Sequence, residues 1–294
     1  MLRLGVIGMS DGNGHPYSWS AILNGYDAEA MAACPFPAIP QYLAERRFPG
    51  DRLPGARVTH VWTQSRELSE SIAQASLIEH VVDEPTAMLG EVDGVLLARD
   101  DAESHRRLAQ PFLEAGLPVY VDKPLATTVA AAEALLALAR RPAQVFSCSA
   151  LRYARELALT AGISERIGTL EEVEARAPKA WATYAAHAIE PVLAWLPLDA
   201  PGQVEAERDG VRTTVRALIG RVHACFVTTG EVDGGIEIEA RGSRGSVRLV
   251  FDDPFSAFRG ALAAFLEQAR SGVEQIPREQ TLAVVRLIEA GTRA

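Results

Sequence analysis

The stretch VDGVLLARDDAESHRRLAQPFLEAGLPVYVDKPLA, residues 92–126, decides the fold. Val92 to Ala98 is a nearly continuous apolar run, the pattern of a strand buried on both faces. Glu103 to Ala115 has the composition of a helix, and Gly116 stands where glycine commonly ends one. PVYVD at 118–122 is a second buried strand, closed by Lys123-Pro124. Two buried strands joined through a helix form a parallel unit, because parallel neighbours need a crossover connection.

The same alternation extends toward the N-terminus. LRLGVIG at 2–8 reads as a buried strand, MSDGNGHP at 9–16 as a loop, and Pro16 to about Tyr26 as a helix with proline at its start. VTHVWT at 58–63 is the next strand, Ser65 to Leu77 a helix, and Val81-Val82 a short third strand. The five prolines between Cys34 and Pro54 make 34–57 an irregular insertion. Strands alternating with helices predict a doubly wound parallel sheet covered on both faces.

Beyond Pro124 the pattern changes. Thr128 to Arg140 is an alanine- and leucine-rich helix, and Val145 to Ser149 a strand. Period-two alternation follows at 169–176, 211–218, 221–229, 235–241 and 245–251, with glycine turns between the last of these. Short turns between consecutive strands predict a mostly antiparallel sheet. Phe255 to Arg270 and Arg278 to Ala290 read as helices. The expected division is a doubly wound α/β domain over 1–124 and an α+β domain with a large open sheet over 125–294.

The chain has 294 residues and a net charge of −9. An acidic chain without a dense basic patch is a poor binder of phosphate backbones, so nucleic acid is not an expected partner. No apolar stretch is long enough to span a membrane. The first apolar run is broken by Gly5 and Gly8, unlike a secretory signal. Cys34, Cys148 and Cys225 are far apart and odd in number, which reads as three reduced thiols in a cytoplasmic protein. No His, Cys, Asp or Glu spacing suggests a metal site.

A glycine loop between the first strand and a helix is where a dinucleotide pyrophosphate sits, because backbone N–H groups at the helix start meet its charge. Gly5, Gly8, Gly12 and Gly14 do not match the usual GxGxxG spacing, and Ser10-Asp11 occupies the turn. An ordinary strand–helix turn is the alternative. The second strand normally ends in an acid that binds the NAD ribose. Here Thr63, Ser65 and Arg66 stand instead, and arginine suits a ribose 2′-phosphate. This favours NADP slightly over NAD. The alternative is a solvated helix start capped by Ser65.

The 92–126 block resembles the glucose–fructose oxidoreductase, inositol dehydrogenase and rhizopine-catabolism family (Gfo/Idh/MocA). His105, Ala115-Gly116 and Asp122-Lys123-Pro124 stand at the matching spacings, the last for Glu-Lys-Pro. The resemblance continues through Arg152-Tyr153, a histidine at 187 and the terminal helix. It implies a Rossmann domain followed by an α+β substrate and oligomerisation domain. It also implies hydride transfer between nicotinamide and a secondary alcohol or ketone of a sugar, amino sugar, nucleotide sugar or cyclitol.

By the resemblance, Lys123 lies beside the nicotinamide and the substrate hydroxyl. Desolvation at the end of a buried strand suits a lysine to proton transfer. The family's Asp-x-Gly-x-His element reads Thr183-Tyr184-Ala185-Ala186-His187, so the histidine is kept and its aspartate is not. Thr183 and Tyr184 share the helix face of His187, and Tyr184 joins Lys123 and His187 as a candidate catalytic residue. The expected cofactor contacts are Gly8, Ser10, Gly12, Asn13, Gly14, Thr63, Ser65, Arg66, Ala98, Asp100, His105, Asp122 and Lys123.

Expected substrate contacts are His15, Tyr17, Trp19, Arg152, Tyr153, Lys179, Trp181 and Thr183. The aromatic residues after the glycine loop either stack on a sugar or pack the first helix. Lys179 either binds an anionic substrate group or is a solvated loop lysine. Relatives pair through the open face of the second sheet, which implies a homodimer or homotetramer. Two other functions fit the departures from the motifs: a cofactor- or sugar-sensing regulator without catalysis, and a redox-neutral enzyme with tightly bound NAD.

Overall fold

The computed structural model describes residues 1–196 and 202–294. Contacts divide the chain into two units. The first holds Met1–Lys123, Ala134–Ser147 and Leu262–Gln275, and the second Pro124–Glu133, Cys148–Ala261 and Ile276–Ala294. The chain first passes from one unit to the other at Lys123-Pro124. A two-stretch division misses the two later returns. Their reason is packing. The short strand Val145–Phe146 completes the edge of the first sheet, and Phe265 joins the first unit's aromatic core.

The first unit is the doubly wound sheet expected. Its strands are β1 (Leu2–Ile7), β2 (Ala56–Trp62), β3 (His80–Val81), β4 (Gly94–Leu97), β5 (Val119–Val121) and β6 (Val145–Phe146). They are parallel, in the order β3-β2-β1-β4-β5-β6. Chain order reverses between β1 and β4, and that switch point is where open α/β sheets bind ligands, at the carboxyl ends of the strands. All described residues of β4 and β5 are buried, as a sheet covered on both faces requires. Trp19 stacks on Tyr120 at 4.6 Å, and Tyr120 meets Phe146 edge-on at 4.8 Å.

Helices α1 (His15–Asn24), α2 (Ala28–Ala32), α3 (Ala38–Ala44), α4 (Arg66–Ala75) and α5 (Ala102–Glu114) connect these strands. Ser65 caps α4 by accepting from the Leu68 N–H. Gly116 ends α5 in the left-handed region, where its own N–H reaches Leu113 and the Leu117 N–H reaches back to the Phe112 carbonyl. The proline-rich insertion is less irregular than expected. It contains α3, because its prolines fall at the helix start or outside it. Tyr42 of α3 donates its hydroxyl to Ser18 at 2.5 Å and so braces α1.

The second unit contains β7 (Leu170–Ala177), β8 (Val204–Asp209), β9 (Arg212–Ile219), β10 (Val222–Thr228), β11 (Glu237–Gly242) and β12 (Gly245–Val250). Their order is β12-β11-β7-β10-β9-β8, antiparallel except for the β7–β10 pair. β8 has almost no buried residue, so its charged sequence gave no strand signal; it forms because it pairs along the edge of β9. The remaining helices in chain order are α6 (Val129–Leu136), α7 (Ala161–Ile167), α8 (Trp181–Leu193), α9 (Pro254–Ser271) and α10 (Arg278–Arg293), of which α8 and α10 cover one face of this sheet.

The apolar positions Val222, Ala224, Phe226, Ile236 and Ile238 are all buried. The open face instead carries Glu172, Glu174, Arg176, Arg216, His223 and Arg241, with ion pairs such as Arg176–Glu174 and Arg216–Glu207. The argument that an apolar second face needs a partner chain therefore does not apply here, since alternation placed the charges outward. No helix among the described residues is long and apolar enough to cross a membrane.

Candidate active site

The candidate residues of the first unit converge at the carboxyl ends of β1, β4 and β5. Lys123 follows β5, is buried at 5 % exposure, and places Nζ 3.4 Å from Asp100 after β4. The other Asp100 oxygen accepts from the Ser10 hydroxyl, and Ser10 in turn accepts from the Asp100 N–H at 3.0 Å. Asp122 is wholly buried. It accepts from Asn13 Nδ2 at 2.8 Å and from the Lys123 N–H at 2.8 Å, and pairs with His15 Nδ1 at 2.5 Å. Burial pushes the Asp122 carboxyl up, but His15, Lys123 and Asn13 outweigh it and hold the group at about 2. The glycine loop is thus tied to the strand ends by two carboxylates.

The loop fits a pyrophosphate through its backbone. Among the described residues no hydrogen bond engages the N–H of Asp11, Gly12 or Gly14. Gly12 has φ +75° with open space where a side chain would begin. These groups sit at the start of the ten-residue helix α1, whose dipole favours negative charge. Gly8 lies against Pro16, a close approach that brings the end of β1 to the start of α1.

Several expected contacts have other work. Tyr17 and Trp19 are core residues at 1 % exposure: Tyr17 bonds Ser71, and Trp19 is sandwiched between His15 and Tyr120. Packing wins for both, on different faces of α1: Trp19 turns to Tyr120 of β5, and Tyr17 to α4 and Phe36. Ala98 is buried and its N–H continues the β1 ladder to Ile7. His105 is buried, with Nε2 2.7 Å from the Arg99 carbonyl, so it supports the loop after β4 rather than facing a ligand. Thr63 Oγ1 donates to the Ser65 carbonyl and Ser65 caps α4. Arg66 is shared between Glu70 at 3.0 Å and Asp83.

In the second unit, His187 on α8 has Nδ1 2.7 Å from Ser149 Oγ. Ser149 also accepts from the Leu151 N–H at 3.2 Å, which fixes its side chain. Tyr184 meets the His187 ring edge-on at 5.0 Å, and its hydroxyl accepts from Lys179 Nζ at 2.8 Å. Lys179, Tyr184, His187 and Ser149 therefore form one polar group. Thr183 is exposed and bonds the Ala180 carbonyl at the start of α8. Ser149 was not legible as a site residue: it lies 38 positions from His187, and no motif links them.

Three further expectations are corrected here. Arg152 is spent on Glu190 at 3.2 Å and on Gln280, both within this unit. Tyr153 is largely buried, and burial pushes its hydroxyl well above the ordinary range. Trp181 is buried and donates its indole N–H to the Ile288 carbonyl of α10 at 2.9 Å. Arg152 and Trp181 hold α8 to its neighbours, while Tyr153 lies against Gly260. Among the described residues, no three His, Cys, Asp or Glu side chains converge as metal ligands.

A parallel sheet with a glycine loop at its switch point is the architecture of a dinucleotide-binding fold, here joined to a second unit with an open sheet. Residues 40–149 match the oxidoreductase family with NAD-binding Rossmann fold, Gfo/Idh/MocA. The match includes the whole 92–126 block, so the resemblance read from that block is borne out. The matched segment begins after the glycine loop, where the sequence departs most from the usual spacing. Solved structures with the same fold include myo-inositol dehydrogenase from Lactobacillus casei in complex with NAD(H) and myo-inositol. It is 14 % identical with TM-score 0.73, over 100 % of this chain and 94 % of that one. Myo-inositol dehydrogenase from Corynebacterium glutamicum is 15 % identical with TM-score 0.71, over 100 % and 96 %. GenD2 from gentamicin A biosynthesis, in complex with NAD, is 16 % identical with TM-score 0.71, over 99 % and 93 %. No protein of curated function matches the sequence.

Proposed function

We propose that this protein transfers a hydride between a nicotinamide cofactor and a secondary alcohol or ketone carbon of a polyhydroxylated ring. A sugar, amino sugar, nucleotide sugar or cyclitol fits the reading. The observation that carries it is Lys123, a buried lysine paired with Asp100 at the strand ends beside a loop with uncommitted N–H groups. Bound nicotinamide supplies the hydride acceptor in one direction and the donor in the other. Lys123 meets the reacting hydroxyl and exchanges its proton. His187, oriented by Ser149, assists, and Lys179 and Tyr184 bind substrate oxygens.

The N–H groups of Gly12 and Gly14 hold the pyrophosphate. For the cofactor we favour NAD, against the sequence-based preference for NADP. Arg66 already lies between two carboxylates, so the net local charge opposes a 2′-phosphate. Homodimer or homotetramer formation through the open sheet stays part of this reading on the family resemblance alone.

Calorimetry with the four nicotinamide cofactors, followed by turnover assays on a panel of cyclitols, sugars and nucleotide sugars, tests the proposal. Lys123→Ala is expected to lower turnover about 10²–10⁴-fold, the scale of acid–base catalysis. Its NAD affinity is expected to change much less, because the lysine acts chiefly in the transition state. A parent protein that binds cofactor but turns over no alcohol or ketone replaces this reading with that of a sensing regulator. A reduced-nicotinamide absorbance band in the purified protein, with redox-neutral turnover, points to the tightly bound cofactor alternative.

A further inference from the structure

Of the 29 basic residues only Lys123 and Lys179 are lysines; all the others are arginine. Where this chain needs a surface cation it uses arginine, and Arg176, Arg216, Arg241 and Arg248 of the second sheet each pair with a glutamate. Lys179 differs on both counts. No carboxylate among the described residues pairs with its ammonium, although Glu231 and Asp233 stand on the neighbouring turn, both exposed. What holds the ammonium is Tyr184, whose hydroxyl accepts from Nζ at 2.8 Å and whose ring centroid lies 4.7 Å from it.

The backbone is committed to this placement. Lys179 has φ +58°, a left-handed conformation that glycine or asparagine adopts more readily. Two bonds enforce it: the Lys179 N–H donates to the Glu231 carbonyl at 2.7 Å, and the Lys179 carbonyl accepts from the Gly230 N–H at 3.0 Å. A lysine kept there is kept for its side chain. The Tyr184 oxygen accepts from Lys179, and its own O–H has no acceptor among the described residues. An ammonium N–H and a phenol O–H are thus presented side by side, with heavy atoms 2.8 Å apart. The His187 ring adjoins them, edge-on to Tyr184 at 5.0 Å.

We propose that Lys179 is a specificity-determining residue that takes a carboxylate of the substrate, which makes the substrate a sugar acid. One carboxylate oxygen accepts from Lys179 Nζ and the other from the Tyr184 hydroxyl. The inference rests on the hydride-transfer reading above and names its substrate class. Two adjacent donors match the two oxygens of a carboxylate, and one ammonium balances its single charge. A phosphate monoester, with up to two charges and three acceptor oxygens, calls for more donors than this pair supplies. A neutral hydroxyl in the same place leaves the ammonium without a counter-ion as bound substrate excludes water. Lysine suits the position better than arginine. Its compact ammonium has three rotatable donors, so it can serve Tyr184 and turn the others outward, whereas the guanidinium fork is fixed.

The probes are glucose, glucuronate and glucose 6-phosphate, and UDP-glucose against UDP-glucuronate, each with NAD and the whole protein. The parent is expected to take the carboxylate of each set with the highest kcat/KM. Lys179→Met is expected to lower kcat/KM for the carboxylate about 10–100-fold more than for the matched neutral sugar, the scale of one charge-assisted hydrogen bond. The loss is expected in KM rather than kcat, because this contact binds ground and transition state alike. Lys179→Arg is expected to keep part of the preference, and Tyr184→Phe to lose a smaller part. Calorimetry of all five probes with the NADH complexes of the parent and Lys179→Met reads the same site without turnover. The proposal is overturned if the parent prefers the neutral sugar or the phosphate, or if neither carboxylate binds more tightly than its neutral partner. It is also overturned if Lys179→Met lowers both members of a pair alike, which is what a structural role predicts. Carboxylate binding that depends on Lys179 in a parent without any turnover overturns the hydride-transfer reading and keeps the site. Turnover of neutral sugars with no Lys179-dependent preference for the acid removes the site and keeps the reaction.

Discussion

Among the described residues each unit buries one carboxylate completely, and the two behave in opposite ways. Asp122 in the first unit is held at about 2, whereas Glu190 in the second is pushed above its ordinary value. Burial raises both. Asp122 answers it with His15, Lys123 and Asn13, which together win. Glu190 has Arg152 and a backbone group, which do not. The difference separates a carboxylate at the strand ends with a part-exposed histidine from one sealed between helices. Burial alone therefore does not mark a functional acid; the number and reach of its partners do.

The largest effect that sharpens this comparison is expected at Arg152. Arg152→Ala strands the Glu190 carboxyl, and a broken buried pair costs about 3–5 kcal/mol. Urea unfolding measures it, and adding Glu190→Gln to the same chain is expected to recover part of the loss. A change within the scatter of surface substitutions would mean that the pair is not sealed.

Asp122 gives the next effect, with the opposite pH dependence. Its folded value lies below the ordinary 3.8, so the folded state releases the proton more readily than the unfolded chain. Its contribution is complete above about pH 4 and is lost as pH falls toward 2, an effect of about 2 kcal/mol by linkage. Denaturant midpoints at pH 6, 4 and 3 are expected to converge between the parent and Asp122→Asn as pH falls. A constant gap across that range would contradict the assignment. Glu190 has the reverse sign, since a raised folded value favours the folded state at low pH and loses that advantage as pH rises.

The smallest effect belongs to Ser149. Ser149→Ala removes the partner of His187 Nδ1, and one hydrogen bond of about 1–1.5 kcal/mol corresponds to roughly tenfold in turnover. His187→Ala is expected to cost less than Lys123→Ala. If Ser149→Ala leaves turnover untouched while His187→Ala lowers it, the serine does not set the ring.

The first sheet was legible because a parallel sheet buries both faces, so its strands stand out as apolar runs between helices. The DKP end of β5 and the departure of the glycine loop were legible for the same reason: strand ends are local events. β8 was missed because an edge strand of charged residues owes its existence to the neighbour it pairs with. Tyr17, Trp19 and Trp181 looked like ligand-stacking rings because an aromatic on a helix reads alike whether it faces a core or a cleft. Arg152 and Arg66 looked available because their acidic partners, Glu190 and Asp83, lie 38 and 17 positions away.

By itself, the amino-acid order determined the class of fold, the family resemblance of the 92–126 block, and Lys123 and His187 as candidates, since these follow from periodicity and short motifs along the chain. Only the tertiary structure decided which charges meet. Asp122 finds His15 across 107 positions and His187 finds Ser149 across 38. The free energy of such contacts depends on distance and burial, and neither is written in local sequence.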